Sequence, residues 1–128
     1  MAKIGCTCGH TIRDQTDSLP YKASLLRDVD RDPFFDWLIE ETQSFVDAAQ
    51  RGTVDAWLLE KGYGPGYVAL NLTHGHILHD HIHSKYLEYE RDVYECTNCG
   101  RVLIETSQPN NFASFSPDVQ AAKNLLSD

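Results

Sequence analysis

Two residue types in this chain are spaced for chemistry, cysteine and histidine. The cysteines form two close pairs, Cys6-Thr7-Cys8-Gly9 near the start and Cys96-Thr97-Asn98-Cys99-Gly100 near the end. Thiolate pairs on tight turns suit a four-thiolate zinc site, because the turn's backbone N–H groups can hydrogen-bond the sulfurs. The glycine after each pair lets the chain leave at positive φ without a side-chain cost. Four thiolates complete the coordination of one tetrahedral ion, so Cys6, Cys8, Cys96 and Cys99 predict a single structural zinc with no open position for catalysis. Two disulfides are the rival reading, and they need an oxidising compartment.

His74, His76, His79, His81 and His83 crowd into one short segment. Thr73-His74-Gly75-His76, followed by Asp80-His81, resembles the metal signature of the metallo-β-lactamase superfamily. Two extra residues precede Asp80, however, and that family needs a longer chain for its two packed sheets. His79-Asp80-His81-Ile82-His83 resembles the zincin motif with aspartate for glutamate, one methylene short of reaching a zinc-bound water. On a helix, His76, His79 and His83 share one side and could hold a second metal. Against all three stands an amphipathic helix from about Thr73 to Leu87, with Leu78, Ile82, Tyr86 and Tyr89 as its apolar stripe.

The flanks of the cysteine pairs carry strand-type residues, Lys3–Gly5 and Thr11–Arg13 around the first, Asp92–Glu95 and Arg101–Glu105 around the second. A hairpin-borne knuckle met by a second knuckle resembles a zinc ribbon. The second pair matches that pattern, and the first has one residue between its cysteines where two are usual. The resemblance implies α+β architecture, with ribbon hairpins from the two chain ends around a helical middle of two to three helices and a few short strands. Residues 1–128 then form a single domain, the knuckles at 6–9 and 96–100 joined in one site.

The middle of the chain must position everything else. Leu19–Leu26 alternates broadly and suits a short strand. Asp32 as N-cap and Pro33 at the first helical position open a helix that Gly52 ends. Phe34, Phe35, Leu38, Phe45, Val46 and Ala49 form its expected core-facing stripe, with Thr42 among them. Its other face carries Asp36, Glu40, Gln43 and Asp47, with Trp37 to one side. Asp36, Trp37, Glu40 and Asp47 are thus candidates for binding a basic partner; a solvated face with Trp37 covered is the alternative. A shorter helix follows over Val54–Glu60, capped by Thr53 and stopped by Gly62. Gly62–Gly66 reads as a connecting loop, Tyr67–Leu72 and Tyr86–Glu95 as strands. Phe112–Phe115 suits a last short strand, and Ser116-Pro117-Asp118 opens a closing helix through Val119, Ala121, Ala122, Leu125 and Leu126.

Nineteen acidic residues against eleven basic ones give a formal charge of −8. A zinc ion on four thiolates would add a further −2, reaching about −10. That balance disfavours nucleic acid and anionic membranes and suits a basic protein partner. No window is long and apolar enough to cross a bilayer, and no charged segment leads into an apolar run after Met1. The expectation is a cytoplasmic zinc protein. More loosely, the Cys-x-Cys-Gly start, Thr16–Ala23 (Thr-Asp-x-Leu-Pro-Tyr-Lys-Ala) and the Cys96–Arg101 end resemble a group of small bacterial proteins with no established activity; by analogy, small acidic proteins are sometimes immunity partners of bacterial toxins. The leading expectation is therefore a non-enzymatic, zinc-stabilised acidic interaction module, an immunity-type inhibitor of a basic toxin or enzyme. The alternatives are a metal-dependent hydrolase built on His74–His83 and a nucleic-acid-binding zinc ribbon, whose basic residues here are scattered singly.

Overall fold

The structure, a computed structural model, describes residues 2–118 and 125–126. The architecture is α+β, as the sequence implies. In chain order the elements are β1 (Ala2–Gly5), β2 (Thr11–Asp14), β3 (Lys22–Leu25), α1 (Asp28–Arg51), α2 (Val54–Glu60), α3 (Pro65–Val68), α4 (His74–Tyr89), β4 (Arg91–Glu95), β5 (Val102–Glu105) and β6 (Phe112–Phe115). They fall into two compact units. One comprises the residues up to Leu26 together with those from Glu90 onward, the other Arg27–Tyr89.

The first unit holds the cysteines. β1 and β2 form an antiparallel hairpin, with Gly5 opposite Thr11 across the first knuckle. β3, β4, β5 and β6 form an antiparallel sheet in that order. β4 and β5 are joined through the second knuckle, with Glu95 opposite Val102. Ile12, Tyr94 and Leu103 pack with Cys6 and Cys96 as the buried core, and Ile4, Tyr21 and Phe112 close around them. Period-two alternation delivers these side chains: Leu103 faces inward, while its neighbours Val102 and Ile104 are only half-buried. Among the described residues, Glu95 is the one buried charged side chain, at 2% exposure. Its carboxylate accepts the backbone N–H groups of Leu125 (2.8 Å) and Leu126 (3.2 Å). The closing helix expected after Pro117 lies outside the described residues, apart from these two positions, which sit in a turn.

Asp14 accepts hydrogen bonds from both Lys22 and the Tyr94 hydroxyl. Burial alone would raise its carboxyl pKa, but those two donors hold it below the ordinary value. A depressed carboxyl contributes stability that is complete above its unfolded pKa and is lost as pH falls through the folded one. The neighbouring Asp92 carboxyl is shifted up, chiefly by burial, and so acts with the opposite sign. The contribution is therefore isolated by comparing wild type with Asp14→Asn. The stability gap between them should hold at neutral pH and narrow below about pH 4. A gap that stayed constant on acidification would assign it to packing instead.

The second unit is helical. α1 begins one turn earlier than Asp32. Asp28 and Asp30 occupy its first turn, where they favour the helix dipole, and the Arg27 guanidinium brackets Asp30 (Nε–Oδ2 2.8 Å, Nη2–Oδ1 3.1 Å). Pro33 consequently lies inside the helix, where its ring gives up one backbone hydrogen bond. Gly52 ends α1 at φ 70°, its N–H reaching back to Ala48 and Ala49. The buried face is also rotated from the expected stripe. Phe34, Phe45 and Ala48 are buried, whereas Phe35 and Val46 are exposed. The cause is the placement of the other helices, because Phe45 and Ala48 meet Trp57, Leu58 and Ile77 in one cluster.

α2 has the expected bounds, with Thr53 at its N-cap position. The Thr53 hydroxyl hydrogen-bonds back to the Ala48 carbonyl and leaves the α2 amides alone. Tyr67–Leu72 is not a strand. Pro65 starts a one-turn helix, α3, after an extended Gly64, and Tyr67, Val68 and Leu72 pack on the helical core. α4 opens on Thr73, whose hydroxyl accepts the His76 N–H (3.2 Å), and continues to Tyr89. The strand that follows is accordingly shorter than Tyr86–Glu95 and begins at Arg91.

Candidate metal centre

Each knuckle is a turn closed by the backbone. In the second, Cys96 N–H bonds the Arg101 carbonyl and Gly100 N–H bonds the Cys96 carbonyl, both at 2.8 Å. In the first, Cys6 N–H bonds the His10 carbonyl and Gly9 N–H bonds the Cys6 carbonyl, both at 2.9 Å. The pattern is the same with one residue fewer, so the shorter Cys-x-Cys spacing makes a tighter turn of the same kind. Gly9 and Gly100 lie at φ 97° and 81°, a region that penalises a Cβ.

These turns bring all four sulfurs within 4.8 Å of one another. Cys6 and Cys99 are 3.6 Å apart, as are Cys8 and Cys96. Disulfide sulfurs stand about 2.05 Å apart, so the cysteines are free thiols. Tetrahedral zinc with bonds of about 2.3 Å places its sulfurs about 3.8 Å apart, and the observed spacing fits that ion. Four cysteines positioned to bind one metal ion are therefore present, and a tetrahedral all-thiolate donor set suits zinc or an iron–sulfur centre.

The surroundings divide the four thiols. Cys6 and Cys96 are buried, Cys99 is half-buried and Cys8 is exposed. Hydrogen bonds from the Asn98 side chain and the His10 backbone bring the Cys8 thiol down to about 6. The Arg101 backbone N–H, helped by its guanidinium 3.5 Å from the sulfur, lowers Cys99 against the effect of burial. Burial pushes Cys96 up to about 12. A thiol so placed ionises only beside a cation, and a divalent metal supplies one.

The histidine segment does not converge. His76 Nε2 and His79 Nδ1 each stand 3.4 Å from a different oxygen of Asp80, and the His79 and His83 rings stack at 5.6 Å. Among the described residues, the four cysteines alone gather three or more ligand atoms. Asp80, the acid of the zincin-like reading, accepts the Tyr67 hydroxyl at 2.7 Å. His81 turns inward. Its Nδ1 meets the Tyr63 hydroxyl (2.8 Å), its Nε2 meets Glu41 (2.9 Å), and Lys61 bonds the same Glu41 oxygen (2.8 Å). The Trp37 and Trp57 rings flank it at 5.3 and 4.9 Å. This polar node was missed from sequence, although its place four residues after the buried Ile77 marks it as facing inward.

Trp37 is half-buried, stacked on Phe34 at 6.2 Å with Lys85 over its ring at 5.6 Å. It is covered within the helical unit and is not an exposed anchor. Asp36 and Glu40 are exposed, and Asp47 accepts a hydrogen bond from Gln43 (3.0 Å). Glu40 and Asp47 border a groove of about 660 Å³ between α1 and α2, together with Ile39, Arg51 and Glu60. No helix among the described residues is long and apolar enough to cross a membrane.

No curated protein and no solved structure matches the chain. Residues 2–119 match the family described as Domain of unknown function (DUF8617), which covers both knuckles and the helical unit between them. The chain belongs to the DUF8617 family.

Proposed function

We propose that this protein is a non-enzymatic, zinc-stabilised module that presents an acidic surface to a basic protein partner, acting as an immunity-type inhibitor. The observation that carries this reading is the convergence of four thiolates on one point, which leaves a bound zinc no open position for a substrate. The charge of −8 supports a basic partner. Nucleic acid is disfavoured by the same net charge, and at least four of the eleven basic groups already have a local acidic or thiol partner. Lys22 pairs with Asp14, Arg27 with Asp30, Lys61 with Glu41, and Arg101 with the Cys99 sulfur. A hydrolase on the histidine segment would need a second metal at His76, His79 and His83, whose near contacts are with Asp80 and with one another.

Elemental analysis of protein purified without chelator tests the reading. One zinc per chain is expected, unchanged when His79 and His83 are both replaced by alanine and lost when Cys96 and Cys99 become serine. A second metal that disappears with the histidines would overturn it in favour of the hydrolase. The same protein should be retained on polylysine resin, elute with salt and pass through heparin. Retention on heparin would argue for a nucleic-acid partner.

A further inference from the structure

The face of α1 turned away from the core is not uniformly polar. Ile39 is 67% exposed, Phe35 45% and Val46 39%. At about 100° per residue these three fall within about 40° of one another, so they form one apolar stripe along the helix. Asp32, Asp36, Asp47 and Glu40 follow about 40–120° further round, between the stripe and α2. Ile39 also lines the α1–α2 groove, whose rim carries Glu40, Asp47 and Glu60 against a single Arg51. Stripe, acidic ridge and groove are thus continuous.

We propose that this surface docks a cationic amphipathic segment of a protein partner. Its apolar side chains would lie on Phe35, Ile39 and Val46, and its lysines or arginines over Asp36, Glu40, Asp47 and Glu60. Exposed apolar side chains aligned on one helix face beside a groove suit an interaction site, and an amphipathic helix laid in a groove is a recurrent way of filling one. Charge selects the occupant. A second copy of this chain meeting the surface isologously would set the acidic ridge against itself, at a net charge of −8 on each molecule. A cationic segment meets the same ridge with complementary charge, and the stripe adds a contact that salt does not screen. This inference rests on the acidic-module reading and locates its contact surface.

The test uses the full zinc-loaded protein and fluorescence anisotropy. The probe is a labelled leucine–lysine peptide with leucines at three- and four-residue spacing, compared with a scrambled peptide of identical composition. The patterned peptide should bind at least about tenfold more tightly than the scrambled one, since each 1.4 kcal/mol is tenfold. Ile39→Ser and Glu40→Lys should each weaken the patterned peptide by a similar factor. Asp17→Lys, an equal charge change at an exposed position elsewhere, should change it less than about threefold. All three positions are exposed, and circular dichroism with metal content verifies that the variants fold. Equal, salt-sensitive binding of both peptides, indifferent to Ile39→Ser and Glu40→Lys, would overturn this surface and leave the acidic module standing. If neither peptide binds at low salt, both readings are overturned.

Discussion

Chelating the metal, or replacing Cys96 by serine, should unfold the cysteine-bearing unit. Structural zinc on four thiolates contributes about 10–16 kcal/mol near neutral pH in peptide systems, as much as the whole stability of an ordinary domain. The unit has little to set against that loss. Two of its five core residues are the ligands Cys6 and Cys96, and its strands are four or five residues long. Hydrogen exchange is the decisive measurement, because it reads the units separately. Amides of β1, β2, β4 and β5 should lose protection in chelator. Those of α1 and α4, whose core contains no cysteine, should keep most of theirs. Unchanged protection at the knuckles would show that the thiols hold no structural metal.

Trp57→Ala should have the largest effect in the helical unit, about 3–5 kcal/mol. The residue is 5% exposed and its ring meets Phe45 edge-on at 5.1 Å. Its indole Nε1 donates to the Ser44 hydroxyl at 2.9 Å, so the substitution removes packing and a hydrogen bond together. It also strips one wall from His81. Urea unfolding followed by helix signal gives the loss, and Trp57→Phe should recover more than half of it. A cost below about 1 kcal/mol for the alanine variant would mean that the helices close over the gap.

What was legible in the sequence follows from how local each feature is. The knuckles could be read because ligand chemistry, turn and glycine all lie within five residues. The bounds of α2 and the Gly52 stop are local in the same way, and both stand as read. The inward face of α1 is not local. Phe34, Phe35, Leu38, Ile39, Phe45 and Val46 spread apolar residues over about 140° of the helix, and only the arrival of Trp57, Leu58 and Ile77 selects the buried part. α3 is a single turn, too short for any periodicity to announce it. The inward turn of His81 was hidden for another reason. Five histidines in one segment suggested a metal, while the partners of His81, Glu41 and Tyr63, lie 40 and 18 residues away.

β3 and β4 are paired neighbours, with Leu25 opposite Arg91. Antiparallel neighbours are ordinarily joined by a hairpin of about two to five residues; here the entire helical unit stands in the place of that hairpin. During synthesis the helices therefore leave the ribosome before Cys96 and Cys99 exist, and the first knuckle must wait for the second. Bringing Cys8 to Cys96 across an open chain 88 residues long costs about 4 kcal/mol in closure entropy beyond a constant. Helices that pack first draw the two flanking strands together and shorten the loop that remains to be closed. An inserted unit that folds first would act as a spacer, and a metal held by the four cysteines would then fasten last.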